Sequence, residues 1–363
     1  MMISENALIG KKMKVVSLLF LIILGCQDSL QNSNLEVDVN SFKNSPLLVK
    51  GTPEREEWEY KIAFTPPPSV SQKVFYNILR GKIKQSWKNE KWKFAELVGS
   101  SYYSKEEPRT YLYQDIYFDT KNYELYKNHL SYRLRYRFKS LSSSTIHEYL
   151  PFLKKHWPIR CEIQFKNSQS LSPSNKVNTF LETRFEFRNA SLPFLTSQDA
   201  PPSPWPLQQY LSYAQQGRFN NYLISPMASL IKYLNPESNI MLNPVLRLKT
   251  PRTRWHIEIS NPFGQATNNP NPNNAFFITW DDVQDGLPPT SSPFIEVEVE
   301  ADRSSLDEVQ DRRVKINTKE IELAIKADQM KIYTLVLQTL AELNVNILTQ
   351  ENKYHRIMSS FKN

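Results

Sequence analysis

Six short segments of the chain carry charged or amide side chains at every second position, with mostly apolar residues between them. Side chains two residues apart in a β-strand share a face, so each segment predicts a strand with one ionic and one apolar face. Segment by segment, the polar residues are Glu57, Glu59 and Lys61; Arg133, Arg135 and Arg137; Glu162, Gln164 and Lys166; Arg184, Glu186 and Arg188; Arg247 and Lys249; and Glu296, Glu298 and Glu300.

Like charges on such a face lie about 7 Å apart along the strand and repel unless counter-ions lie between them. One interpretation is an antiparallel sheet whose charged face is solvated. Solvated faces, however, usually mix Thr, Ser and Gln among the charges, whereas these faces are almost wholly ionic. A shared ligand would relieve the repulsion, because arginines bind phosphate oxygens and paired carboxylates hold Mg²⁺ or Mn²⁺. The pattern therefore favours ionic faces that surround an anion and a divalent metal.

The elements that must position these residues are mostly strands. Alternation predicts nine of them, at 57–63, 113–119, 130–138, 160–166, 181–188, 243–249, 254–260, 276–281 and 293–300. Helical spacing of apolar residues predicts helices at 69–85 and 317–345, and residues 190–240 are expected to form a helical insertion. No domain boundary is evident after residue 54, so residues 54–363 are predicted to be one domain.

The amino-acid composition argues against one class of phosphate site, the glycine-rich loop. Gly is scarce, at 8 residues, while Tyr and Phe number 18 and 19, which favours strands over glycine-rich phosphate loops. Neither a P-loop nor a Rossmann fingerprint occurs in the sequence. The net charge of +8 modestly favours an anionic partner, although it is equally compatible with solubility alone.

The N-terminal residues predict export. Lys11, Lys12 and Lys14 precede an apolar run that is too short to span a membrane, and the run ends at Gly25-Cys26. Ile23-Leu24-Gly25-Cys26 resembles a bacterial lipobox, which implies cleavage of residues 1–25 and lipid attachment to Cys26. A plain secretory signal and an uncleaved anchor are the alternatives. The polar residues 26–53 are predicted to be a flexible tether. The resemblance places the mature protein in the bacterial cell envelope, lipid-anchored on the extracytoplasmic side.

Several other residues are predicted to be structural. The five histidines show no metal-binding spacing, which argues against a histidine zinc site. Cys161 is interpreted as a buried structural thiol, and with Cys26 lipidated the mature chain has no second cysteine for an internal disulfide. Lys353 and Tyr354, after the last predicted helix, are interpreted as a surface anchor.

In the strand segments the chain resembles the CYTH superfamily, the triphosphate tunnel metalloenzymes, whose members include the catalytic domain of the VTC polyphosphate polymerase. Glu57-Trp58-Glu59-Tyr60-Lys61 is similar to the family's E-x-E-x-K motif. The other motifs follow in order: Tyr117-Phe118-Asp119-Thr120, Arg133-Leu134-Arg135, Glu162 to Lys166, Arg184-Phe185-Glu186, Asn243 to Arg254, Trp280-Asp281-Asp282 and Glu296-Val297-Glu298. Arg188 departs from the pattern, because relatives often have an acid there.

The resemblance implies an α+β fold that is mainly antiparallel β: a closed, tunnel-like barrel of eight strands with a charged interior, flanking helices and the helical insertion. One of the nine strand candidates is then expected to lie outside the barrel. Implied metal ligands for Mg²⁺ or Mn²⁺ are Glu57, Glu59, Glu296 and Glu298. Implied phosphate-binding residues are Lys61, Arg133, Arg135, Lys166, Arg184, Lys249, Arg252 and Arg254, although which of the last three points inward stays open. Glu186 is the candidate acceptor for the proton of an attacking water.

The resemblance also implies metal-dependent hydrolysis of tripolyphosphate, of longer polyphosphate or of a nucleoside triphosphate. The lipid on Cys26 would attach the protein to a membrane, and no nucleic-acid partner is expected. A non-catalytic polyanion-binding or structural lipoprotein that keeps the tunnel is the first alternative. A polyphosphate polymerase like the VTC protein is the second.

Overall fold

The computed structural model describes residues 48–50, 55–104, 107–138, 160–168, 178–187, 222–233, 242–260, 273–287, 294–302, 318–349 and 353–360. The predicted signal segment, Cys26 and most of the tether lie outside these residues, as does most of the insertion predicted at 190–240. Among the described residues, no helix combines the length and the apolar content needed to cross a membrane.

Twelve strands and six helices occur among the described residues. The strands are β1 Leu48–Lys50, β2 Arg55–Phe64, β3 Tyr102–Ser104, β4 Arg109–Asp119, β5 Leu130–Phe138, β6 Arg160–Asn167, β7 Asn178–Phe187, β8 Tyr222–Ile224, β9 Asn243–Ile259, β10 Asn273–Leu287, β11 Phe294–Ala301 and β12 Ile347–Thr349. The helices are α1 Gln72–Asn89, α2 Lys93–Leu97, α3 Glu124–Lys127, α4 Ser225–Tyr233, α5 Thr318–Glu342 and α6 Lys353–Ser360.

Eight antiparallel strands close into a barrel, in the order β10, β11, β2, β7, β6, β5, β4 and β9. The long strand β9 closes the ring, because it pairs with β4 on one side and with β10 on the other. Strands β3 and β12 add to β9 and β2, while β1 and β8 form a separate parallel pair. The predicted eight-stranded barrel is confirmed.

The strand count needs one correction. The candidates 243–249 and 254–260 are two parts of the single strand β9, so all of the predicted segments belong to the barrel and none lies outside it. Pro251 interrupts the sequence pattern, since proline has no amide proton to donate to a neighbouring strand. Pro251 pairs with Leu112 of β4, and neither it nor Thr250 has a paired residue in the described part of β10.

The main apolar core lies outside the barrel wall, between the strands and the helices α1 and α5. Tyr60 of β2 stacks on Tyr333 of α5 with ring centroids 4.4 Å apart, and Phe75 of α1 contacts Trp280 of β10. Burying this face stabilises the fold by roughly 25 cal/mol for each Å² of apolar surface. Ser71 caps α1 by accepting a hydrogen bond from the Val74 amide at 3.3 Å. With the apolar face turned to the helices, the ionic face is left for the interior.

A second apolar cluster closes one end of the barrel. Its members are Ala63, Tyr117, Leu246, Leu248, Val283 and Phe294 from the strands with Tyr354, Ile357 and Met358 from α6. Tyr354 stacks on Tyr117 with ring centroids 5.1 Å apart, and its hydroxyl donates to Asp119 Oδ2 at 2.5 Å. The helix α6 is thereby docked against the barrel end.

Candidate functional site

The barrel interior holds a partly open cavity whose lining is almost entirely polar; its empty space of about 490 Å³ includes the solvent at its mouth. Eight basic and four acidic side chains line it, together with one glutamine and one tyrosine. They are Glu59, Tyr113, Arg133, Arg135, Arg137, Arg160, Glu162, Gln164, Lys166, Arg184, Arg252, Arg254, Glu298 and Glu300. The excess of cations makes the cavity suited to a polyanion.

The ionic faces predicted on β2, β5, β6 and β11 do face the interior, whereas the assignment on β9 is reversed. Leu246, Leu248 and Arg252 lie on one face of β9, because they pair with Tyr117, Asp115 and Tyr111 of β4 at alternate positions. Lys249 pairs with Gln114 and lies on the opposite face. The structure therefore places Arg252 and Arg254 in the cavity wall and leaves Lys249 off it.

Strand β5 contributes arginines that are held by a buried aspartate. Arg135 donates two hydrogen bonds to the carboxylate of Asp115, both at 2.7 Å. Arg133 donates to the same carboxylate at 3.3 Å, to Tyr117 Oη at 2.9 Å and to Gln164 Oε1 at 2.7 Å. Burial alone would raise the pKa of Asp115, but Arg135 and Arg133 hold that pKa well below its ordinary value.

The two acids of the E-x-E-x-K motif on β2 contact basic side chains of β7 and β6. Lys166 donates to Glu57 Oε2 and to Glu59 Oε1, each at 2.8 Å. Arg184 pairs with Glu57 and with the fully buried Glu182. Burial would raise the pKa of Glu182, but Arg184 and Lys166 hold that pKa well below its ordinary value.

A compact acidic triad lies towards the closed end. One carboxylate oxygen each from Asp281, Glu296 and Glu298 lies within 4.8 Å of the others, and all three residues are buried. Arg252 donates to Asp281 Oδ1 at 2.6 Å and to Glu298 Oε2 at 2.8 Å. Carboxylate oxygens are the ligands that Mg²⁺ and Mn²⁺ prefer, so this donor set fits a hard divalent cation.

The four predicted metal ligands are divided between two places. Glu296 and Glu298 belong to the triad with Asp281, whereas Glu57 and Glu59 contact Lys166. Lys61 connects the two groups, with its Nζ 2.5 Å from Glu59 Oε2 and 3.0 Å from Glu298 Oε1.

Lys353 is not part of a surface anchor, which corrects the interpretation from sequence. It is 4% exposed at the start of α6, and its ammonium pairs with Asp281 and lies 3.1 Å from Glu296 Oε1. Tyr354, its neighbour, is 1% exposed. The error arose because α6 is short and its docking depends on residues far away in the sequence.

Other residues were missed or lie outside the described side chains. Glu182 alternates with the predicted Arg184 on β7, and Asp115 alternates with Tyr117 and Asp119 of the motif on β4, so the period-two pattern contained the signal for both. The backbone of Glu186 pairs with that of Glu162, but its side chain is outside the described part of the chain. Arg188 and the side chain of Cys161 are outside it as well.

Comparison with known proteins identifies one family. A family model described as the CYTH domain matches residues 82–330. A Hippeastrum protein, a candidate adenylyl cyclase described as having a dominant triphosphatase activity, is 11% identical, with 84% of this chain and 96% of that chain covered and a TM-score of 0.36. A candidate adenylate cyclase from Bacillus halodurans is also 11% identical, with 83% and 97% covered and a TM-score of 0.36. A search of curated proteins finds no match.

Proposed function

Because the chain belongs to the CYTH family, whose model matches more than half of its residues, we propose that it hydrolyses tripolyphosphate or another triphosphate with the help of a divalent metal. The observation that carries the proposal is the polar cavity of the barrel, which eight basic side chains line and to which Glu298 of the buried acidic triad contributes. A polyanion and a metal ion are the two ligands that such a lining would hold together.

The basic residues would bind and orient the phosphate chain. Arg133, Lys166 and Arg184 line the cavity from three successive strands and present their donors to one space. Guanidinium groups bind phosphate oxygens bidentately, and lysines contribute point charges. Their summed positive charge would stabilise the extra negative charge that develops during phosphoryl transfer.

The triad Asp281, Glu296 and Glu298 would hold the metal. A divalent cation bound there would neutralise phosphate charge and polarise the bond to be broken. Glu59 lies next to this position through Lys61, so it is the further acid best placed to contribute. Glu186 remains the proposed acceptor of the water proton, on the basis of its place in the R-x-E motif.

The cellular setting is also proposed. Lipidation at Cys26 would put the domain on the extracytoplasmic side of a bacterial membrane, where nucleotides are scarce. Inorganic tripolyphosphate or polyphosphate is therefore a more suitable substrate than a nucleoside triphosphate.

The test is phosphate release from tripolyphosphate by the full chain purified in detergent, with Mg²⁺ or Mn²⁺ and with chelator. We expect metal-dependent release that is lost in Glu296→Gln/Glu298→Gln and retained in Lys249→Ala, which changes the outer face of β9. No release from tripolyphosphate, long-chain polyphosphate or nucleoside triphosphates would contradict the proposal.

A non-catalytic polyanion-binding protein is the second candidate. It is favoured by one observation, that the triad is already engaged by Arg252 and Lys353. Tight, metal-independent binding of tripolyphosphate without hydrolysis would support this candidate over the first.

A further inference from the structure

The ammonium group of Lys353 occupies the space between two members of the acidic triad. Its Nζ pairs with Asp281 and lies 3.1 Å from Glu296 Oε1, and the lysine side chain is 4% exposed. The lysine comes from α6, whereas the acids come from β10 and β11. A cation carried by a separate element thus lies where three carboxylates converge.

The contacts of Glu296 show that Lys353 satisfies only part of this buried carboxylate. Glu296 is fully buried, yet neither of its carboxylate oxygens accepts a hydrogen bond from the described residues. Lys353 makes an ion pair with one oxygen and leaves Oε2 without one among the described side chains. A buried carboxylate without hydrogen bonds is costly, and several oxygens without donors are what a divalent cation requires.

The triad is close to charge balance while Lys353 is present. Its three carboxylates face Arg252 and Lys353 and share Lys61 with Glu59, so three negative charges meet two positive ones and part of a third. An added divalent ion would lie a few ångströms from the Lys353 ammonium and would be repelled by it. Withdrawal of the ammonium would leave a net negative site with room for the ion.

Helix α6, which carries Lys353, is also held against the barrel by residues that do not contact the triad. Tyr354 donates to Asp119 and stacks on Tyr117, and Ile357 and Met358 pack against the apolar barrel end. Helix α6 has only 8 residues, so the region that would have to shift is small.

We propose that Lys353 and a divalent metal compete for the same carboxylates, so that docked α6 keeps the triad free of metal. The inference rests on the proposed function only in taking the triad as the metal site. Thermodynamic linkage makes the effect reciprocal. If docked α6 weakens metal binding by some factor, bound metal weakens the docking of α6 by the same factor.

The test is Mn²⁺ binding to the full chain in detergent and phosphate-free buffer, followed by the electron paramagnetic resonance signal of free Mn²⁺. Lys353→Met is expected to bind Mn²⁺ about tenfold more tightly or better than the unchanged chain. The matched control is Lys91→Met, which removes a lysine paired with Glu96 at the surface and is expected to leave binding unchanged. Lys353→Met/Glu296→Gln should lose the gain, which would assign it to the triad.

A second measurement uses the unchanged chain and so does not depend on how the variant folds. Saturating Mn²⁺ is expected to raise the rate of amide hydrogen exchange in α6, because the ammonium has to leave the triad. Unchanged exchange in α6 together with equal Mn²⁺ affinity of Lys353→Met and the unchanged chain would overturn the proposal.

Neither readout measures phosphate release, so the two proposals can fail separately. Tighter Mn²⁺ binding by Lys353→Met in a chain that hydrolyses nothing would support the competition and contradict the hydrolase. Metal-dependent hydrolysis with no gain in Mn²⁺ affinity would overturn the competition and leave the hydrolase in place.

Discussion

Lys166 Nζ lies 2.8 Å from Glu59 Oε1, although their strands β6 and β2 are separated in the barrel by β7. The contact therefore spans the inner face of β7, the strand that lies between them. The same ammonium reaches Glu57 at 2.8 Å. Because buried acids need a compensating charge, the two glutamates and the lysine form one unit whose members depend on each other.

Replacing Lys166 by Met is expected to lower the free energy of unfolding by about 3 kcal/mol, since it leaves Glu57 and Glu59 without this cation. Urea denaturation followed by circular dichroism measures the change. Lys166→Met/Glu59→Gln should recover part of the loss, because one of the stranded charges is then removed. A double variant no more stable than Lys166→Met would mean that the lysine stabilises the barrel by packing and not by its charge.

The ion pair between Asp115 and Arg135 predicts how the free energy of unfolding depends on pH. The pKa of Asp115 is lowered in the folded state, so its contribution to stability is full above the unfolded pKa of about 4 and is lost as pH falls through the folded pKa. Asp115→Asn should be less stable than the unchanged chain by about 3 kcal/mol at pH 7. The difference should shrink as pH is lowered from 5 towards 2, and a difference that stays constant over this range would contradict the assignment.

Local alternation was sufficient to predict much of the barrel. Period-two patterns lie in the segments that became its eight strands, and on β5 and β11 the ionic face was the interior one, as expected. On β9 the same logic failed, since Leu246 and Leu248 face inward at the closed end, where α6 packs on them. These apolar side chains can face inward because α6, which is distant in the sequence, packs on them. The alternation within β9 contains no information about that contact.

The members of the acidic site could be predicted only in part, because some of them are brought there by tertiary contacts that no local pattern contains. Glu296 and Glu298 were accessible from alternation and from the family resemblance. Their third partner, Asp281, joins them through the pairing of β10 with β11. Lys353 joins them from beyond α5, and its position depends on the docking of α6, which is a tertiary contact.

Two basic residues on opposite faces of the barrel wall, Arg133 on β5 and Lys249 on β9, provide a test of which face binds phosphate. Arg133 lines the cavity, whereas Lys249 lies on the outer face of β9. Arg133→Ala is expected to weaken tripolyphosphate binding about tenfold or more, because it removes charge-assisted hydrogen bonds. Lys249→Ala should change affinity less than twofold by isothermal titration calorimetry. Equal losses in the two variants would indicate that the anion binds by general surface charge and not inside the barrel.

Glu300 predicts a pH effect of the opposite sign to that of Asp115. It lines the cavity 3.5 Å from Arg254, and burial raises its pKa to about 7 despite the nearby guanidinium. A carboxyl whose pKa is raised on folding stabilises the fold fully below the unfolded pKa of about 4.3, and the contribution is lost as pH rises through 7. Glu300→Gln removes the ionised form. The variant should therefore match the unchanged chain at pH 4 and be more stable at pH 8, by on the order of 1 to 2 kcal/mol.

The measurement is urea denaturation of both chains at pH 4, 6 and 8. Glu320→Gln, which changes an exposed acid on α5, is the control and should leave the difference between pH values unchanged. If Glu300→Gln were less stable than the unchanged chain at pH 8, the ion pair with Arg254 would outweigh the cost of burying the charge. In that case Glu300 would be ionised at neutral pH and would add a negative charge to the cavity wall.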